Sequence, residues 1–229
     1  MNALLAKLHN KQWLWRGIKQ QQQYRQAIST SYPQLDAKLG GGFPTQGVIE
    51  CKTVTGIGEL RLMAAYLKAQ QKRGLVVFVN PPSLLNGAFL VHAGLDLQKI
   101  LCVDSHTGVN GLWGAEQSLK SGCCAAVIIW QSHLSIQQVR RLSLAAEQGH
   151  SALILYRDNV KAGFSLPVAL SLSCHADIAG IKVAIDKQKG GRPCQPFLVD
   201  MSSQWPDLVL PQLPNNVVAL DDARIQRVS

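Results

Sequence analysis

Short apolar runs alternating with stretches of helical spacing constrain this chain more than any other feature. Residues 47–52 read as a strand, and 58–72 follow as a helix with Leu60, Met63, Ala64 and Leu67 on one face. Leu75-Val76-Val77-Phe78-Val79 is apolar throughout, as a strand covered on both faces must be. The same alternation gives a short helix over 83–92, a strand over 100–103, a helix over 109–119, a strand over 125–129, a helix over 135–148 and a strand over 152–156. Strands and helices of these lengths predict an α/β fold: a mostly parallel sheet with helices on both faces.

The alternation then stops. Strands are expected over 178–186 and 197–201, joined through Gly190, Gly191 and Pro193, which is a C-terminal β-hairpin signature. The domain therefore spans 31–203, and the proline-punctuated residues 204–229 form an irregular tail. Residues 1–30 read as a basic arm, with Lys7, Lys11, Arg16, Lys19 and Arg25 but no acid. Leu4, Leu5, Leu8, Trp13 and Trp15 give it an apolar side. It is either a solvated arm or one that docks on a protein, a phosphate backbone or another copy of the chain. Trp113 and Trp130 read as core residues.

Hydrophobic residues make up 47% of the 229 residues, enough for a full core. No apolar run approaches the ~18 residues of a membrane helix, and no export signal is evident, so a cytoplasmic location is expected. The six cysteines form no C-x-x-C pair and no zinc-spaced cluster with histidine. They read as small buried hydrophobes in a reducing compartment, and no metal or cofactor is expected. The net charge of +9 favours an acidic partner such as nucleic acid, although basic soluble proteins without one are common.

The loop between the first long strand and helix, residues 53–58, stands where a phosphate loop G-x-x-x-x-G-K-[ST] would stand. In such a loop glycines open the backbone to phosphate, a lysine neutralises the terminal phosphates and a hydroxyl binds magnesium. Here Thr53 takes the first glycine's place and Gly58 keeps the second, while Glu59 replaces the lysine and Leu60 the hydroxyl residue. Like charges ~4 Å apart cost about 4 kcal/mol at an effective dielectric near 20, so a carboxylate facing a polyphosphate opposes binding. The strand over 125–129 leads to Gln131, where a metal-holding acid would be expected. This spacing fits a degenerate phosphate loop, or an α/β domain that never had one. On the first reading a non-enzymatic protein is expected.

The segment Ser31-Tyr32-Pro33-Gln34-Leu35-Asp36 through Gly40-Gly41-Gly42, leading into Gly47, resembles the entry to the RecA recombinase core. Lys187-Gln188-Lys189 resembles RecA's closing K-x-K hairpin. The resemblance runs from about Tyr32 to Met201 and implies a RecA-like P-loop fold. Within that superfamily the chain most resembles the ImuA group. The shared features are Leu14-Trp15-Arg16-Gly17, the stretch Thr55 to Leu62, Leu112 to Leu119 and Leu142 to Glu147.

The ImuA resemblance implies a non-catalytic accessory factor of SOS translesion DNA synthesis, working with an ImuB-like Y-family protein and an error-prone DNA polymerase subunit. Contacts with the RecA filament and DNA are implied too. The alternative is a SulA-like cell-division inhibitor that binds FtsZ; SulA is a shorter relative with the same sheet segments. RecA's catalytic acid has no counterpart at Asn80-Pro81-Pro82, and Asp158 stands where RecA's phosphate-sensing glutamine would be. Its first DNA-binding loop is nearly absent, and the second is shortened to about Arg157 to Ser173, with Arg157 and Lys161 as cations. The candidate contacts for nucleic acid or a partner are therefore Lys182, Lys187, Lys189 and Arg192, clustered on the hairpin, with Arg157, Lys161, Trp13, Trp15 and Arg16. A solvated hairpin tip is the plainer reading of the lysines.

Overall fold

The computed structural model describes residues 27–105, 108–158 and 166–206. In chain order the elements are β1 (Ala27–Ile28), α1 (Pro33–Leu39), β2 (Phe43–Pro44), β3 (Gly47–Lys52), α2 (Glu59–Gln70), β4 (Leu75–Val79), α3 (Gly87–His92), β5 (Ile100–Val103), α4 (Gly108–Lys120), β6 (Cys124–Trp130), α5 (Ile136–Gln148), β7 (Ala152–Arg157), β8 (Leu170–Asp177), β9 (Gly180–Gln188) and β10 (Cys194–Asp200).

The main sheet runs β10-β9-β8-β3-β7-β6-β4-β5. Every pairing from β8 to β5 is parallel, whereas β8–β9 and β9–β10 are antiparallel. The apolar runs of β3, β4, β6 and β7 lie in the middle of this order and are buried on both faces. One face, with Ile49, Phe78, Ile128 and Ile154, packs on α1, α2 and α3. The other, with Val48, Val77, Val127 and Leu153, packs on α4 and α5. Boundaries follow local chemistry. Ser135 and Gln138 form a reciprocal capping box that starts α5, and the Asn86 side chain caps α3.

Three features differ from the sequence reading. Residues 170–173, read as part of a loop, lie in β8, which joins β3 on one side and β9 on the other. The period-2 pattern, with Leu170, Leu172 and Cys174 on the α1–α2 face and Ser171 and Ser173 on the other, signals that strand. Trp113 is not core: it is 64% exposed on the outer side of α4, while Ala115 and Leu119 face inward. Trp205, placed in the tail, is 6% exposed. It stacks on Phe89 with centroids 5.4 Å apart and donates its indole N–H to the Tyr32 hydroxyl at 3.1 Å. The core thus reaches two residues into the stretch assigned to the tail. At the other end, β1 pairs with β2. Gly42 permits that approach, because a Cβ there would strike the backbone carbonyl of Ile28.

Trp130 agrees with the reading. It is half-buried and lies between Phe78 and Tyr156, with centroids 6.3 and 5.1 Å away.

Candidate functional site

The loop from Thr53 to Gly58 leaves the C-terminal end of β3 and delivers the chain to the N-terminus of α2. A helix start presents unpaired N–H groups and attracts negative charge. Gly58 opens α2 with φ +96, a backbone conformation that favours glycine; a Cβ there would also displace the guanidinium end of the Arg61 side chain. The anion at this turn is internal. Glu59 is 6% exposed, and its two carboxylate oxygens accept from the backbone N–H of Gly56 at 3.3 and 3.1 Å. The carboxylate folds back into its own loop instead of projecting into solvent. Thr53 is buried, its hydroxyl donating to the Val54 carbonyl and its N–H to that of Arg157. Leu60 packs against the core. Beneath the loop, the Tyr156 hydroxyl donates to the Glu59 carbonyl at 3.1 Å. Burial pushes the Tyr156 phenol and the Cys51 thiol well above their usual ranges.

A buried polar network lies beside the loop, on the sheet face toward α4 and α5. Glu50, 2% exposed, accepts from Arg157 at 2.7 Å and from the Ser171 hydroxyl at 2.6 Å. The remaining Arg157 donors go to the Ser132 carbonyl. Arg157 is therefore a structural cation, held inward, not the outward contact expected of it. Farther out, Lys52 pairs with Asp186 at 3.2 Å, and Ser173 donates to the same carboxylate. Sequence reading missed this set, although a glutamate inside an apolar strand signals a buried partner. At the end of β6, Gln131 donates its backbone N–H to the Tyr156 carbonyl. Asp158 accepts from the Ser132 hydroxyl, and Asn80 accepts from the backbone and hydroxyl of Ser105.

The hairpin lysines do not form one cluster. Lys182 sits near the start of β9 and pairs with Asp177 at 3.0 Å. The seven residues to Lys189 at ~3.3 Å each put it roughly 23 Å from the far turn. Lys187 is half-buried and donates to the Leu166 carbonyl at 2.8 Å. Lys189 and Arg192 remain together at the β9–β10 turn, joined there by Lys38 from α1, which sequence reading did not single out. Trp13, Trp15, Arg16 and Lys161 lie outside the described residues.

The family described as "Cell division inhibitor SulA" matches residues 52–153, from the end of β3 into β7. RecA of Nostoc sp. (strain PCC 7120 / SAG 25.82 / UTEX 2576) is 30% identical over 105 residues, covering 45% of this chain and 29% of that protein. RecA of Prochlorococcus marinus (strain MIT 9211) is 28% identical over 105 residues, again covering 45% of this chain and 29% of that protein. The chain is related to RecA and SulA. It spans less than a third of the length of the RecA proteins it matches. Among solved structures, SulA from Pseudomonas aeruginosa aligns with 48% of this chain and 97% of its own, at 26% identity and a TM-score of 0.42. The SulA match includes the Glu59 loop and stops short of β8, β9 and β10. Among the described residues, no helix is long and apolar enough to cross a membrane.

Proposed function

We propose that this protein is a non-catalytic accessory factor of the SOS response, acting in translesion DNA synthesis by bridging an ImuB-like protein and an error-prone polymerase subunit, with contacts to RecA and DNA. Its relation to RecA and SulA supports a role in the response to DNA damage. The non-catalytic part rests on one observation: the turn at the start of α2 already holds the Glu59 carboxylate. In this reading the turn is a degenerate phosphate loop. A triphosphate would have to displace a buried carboxylate and would find no lysine to neutralise it. The translesion part rests on the ImuA-like segments, notably Leu112 to Leu119 and Leu142 to Glu147.

A second reading, a division inhibitor that binds FtsZ, is favoured by the match of residues 52–153 to the SulA family. A tagged pull-down from DNA-damaged cells, with co-purifying proteins identified by mass spectrometry, separates the two. Recovery of ImuB-like and polymerase proteins supports the first. Recovery of FtsZ without a polymerase replaces it with the second. An ATP titration tests the non-catalytic reading separately, and saturable binding overturns it.

A further inference from the structure

A cationic groove lies at the end of the sheet opposite the Glu59 loop. The six residues of β3, at ~3.3 Å each, separate the two by about 20 Å. The groove consists of two adjoining cavities. The first, about 480 Å³, lies between the C-terminal end of α1 and the β9–β10 turn. Lys38, Lys189, Arg192 and the glycines of the turn line it, and among the described residues no acidic one does. The second, about 450 Å³, lies at the start of β3 and includes Arg73, with Glu147 as its acid. Pro44, Ala169 and Lys189 belong to both walls, so the cavities join over Lys189.

The charge of this groove is built in. Arg73 is fixed by three neutral acceptors, the carbonyls of Thr45 and His150 and the Gln70 side chain, at 2.8–3.0 Å. Its guanidinium is thus positioned without a carboxylate cancelling it. Lys38 extends over the Phe197 ring, 6.0 Å from its centroid. The same lysine lines the first cavity. At Gly190 nothing lies within 4 Å of where a Cβ would stand, so the backbone is open there, while the Gln188 side chain covers Gly191. Among the described residues no tryptophan, tyrosine or phenylalanine lines either cavity, so what they offer is charge and not a stacking platform.

From this arrangement we infer that the groove binds the phosphodiester backbone of a single nucleic-acid strand, without regard to base sequence. An isolated phosphate would use one cavity, whereas a strand carries regularly spaced charges that can engage Lys38 and Arg192 in the first cavity, Arg73 in the second and Lys189 in both. The inference rests on the DNA contact of the proposed function and gives it a place on the surface, but it depends on neither the polymerase nor FtsZ.

The test is fluorescence anisotropy of the full chain with a labelled oligothymidylate of about 15 nucleotides over a salt series. Wild-type binding is expected to weaken with salt, log K falling by about 0.7 per contacted phosphate for each tenfold rise in salt. Lys189→Glu/Arg192→Glu should weaken binding at least tenfold and flatten the slope. Lys189→Gln/Arg192→Gln should do so less, with an unchanged melting curve. Arg140→Glu, on the outside of α5, should have little effect. Wild-type affinity in the groove variants, or no binding at low salt, overturns the inference. Equal displacement of the strand by inorganic phosphate or a nucleotide at matched phosphate concentration also overturns it, in favour of a small phosphorylated ligand. Loss of DNA binding with polymerase recovery intact would separate failure of this site from failure of the bridging reading.

Discussion

The backbone N–H of Gly56 donates to both carboxylate oxygens of Glu59, three residues ahead, at the start of α2. A side chain of the helix's own first turn supplies the negative charge that a helix start favours. Glu59→Ala leaves that N–H without its partner and is expected to destabilise the fold by about 1–3 kcal/mol. Glu59→Gln should cost less, because it retains an acceptor but not the charge. Urea denaturation measures both. An Ala variant as stable as wild type would show that the contact contributes nothing.

The Glu50–Arg157 pair, with side-chain exposures of 3% and 16%, ties the centre of β3 to the end of β7. Removing one partner strands the other charge in the interior, so Glu50→Ala or Arg157→Ala should each cost about 3–5 kcal/mol in chemical denaturation. Glu50→Leu/Arg157→Met, which leaves neither charge behind, should recover much of that loss.

Trp205 closes the core against Phe89, His92 and Tyr32. Trp205→Ala should cost about 3–5 kcal/mol. Trp205→Phe should keep the stack but lose the hydrogen bond to Tyr32, costing about 1 kcal/mol. Thermal melts of the two variants distinguish packing from hydrogen bonding.

Cysteine labelling reads burial directly. Cys51, Cys124 and Cys174 are buried, and burial pushes the Cys174 thiol up to about 12. Cys102 and Cys123 are exposed. Under native conditions a thiol reagent should modify Cys102 and Cys123 first, with the buried three reacting only on unfolding. Peptide mapping by mass spectrometry identifies the modified sites.

Glu116, which joins α4 to α5, accepts from Lys120 and from Arg141, each at 2.6 Å. The Lys120 hydrogen bond, aided by Arg141, holds its carboxyl below the usual range. Because the folded value is depressed, the stabilisation is present above the unfolded glutamate value near 4.3 and is lost as pH falls through the folded value. Lys120 and Arg141 are 38% and 67% exposed, so solvent screening limits the contribution to about 1 kcal/mol or less. Stability measured from pH 7 down through the acid limb should fall less for Glu116→Gln than for wild type.

Much of this molecule was legible in its sequence because the signals are local. Continuous apolar runs marked β4, β6 and β7, and the helix read over 135–148 matches α5. That Glu59 opens the helix after the first long strand was evident from position alone. The direction of its carboxylate was not, since rotamer and loop closure depend on the buried surroundings of Cys51 and Tyr156. Strand β8 was missed because its alternation is short and follows proline-bearing residues that resemble a loop. Trp113 was assigned to the core on residue type, but its place on the outer side of α4 prevailed.

By itself, then, the sequence determined the succession of strands and helices, the double-sided cover of the sheet and the presence of a glutamate at the start of α2. Each follows from residue type and short-range spacing. Tertiary structure alone decided which distant residues meet. It brought Lys38 beside Lys189 and Arg192, joined Glu50 to Arg157 and carried Trp205 back to Tyr32. Such pairings depend on strand order and on how helices seat against the sheet, and one-dimensional spacing does not encode those distances.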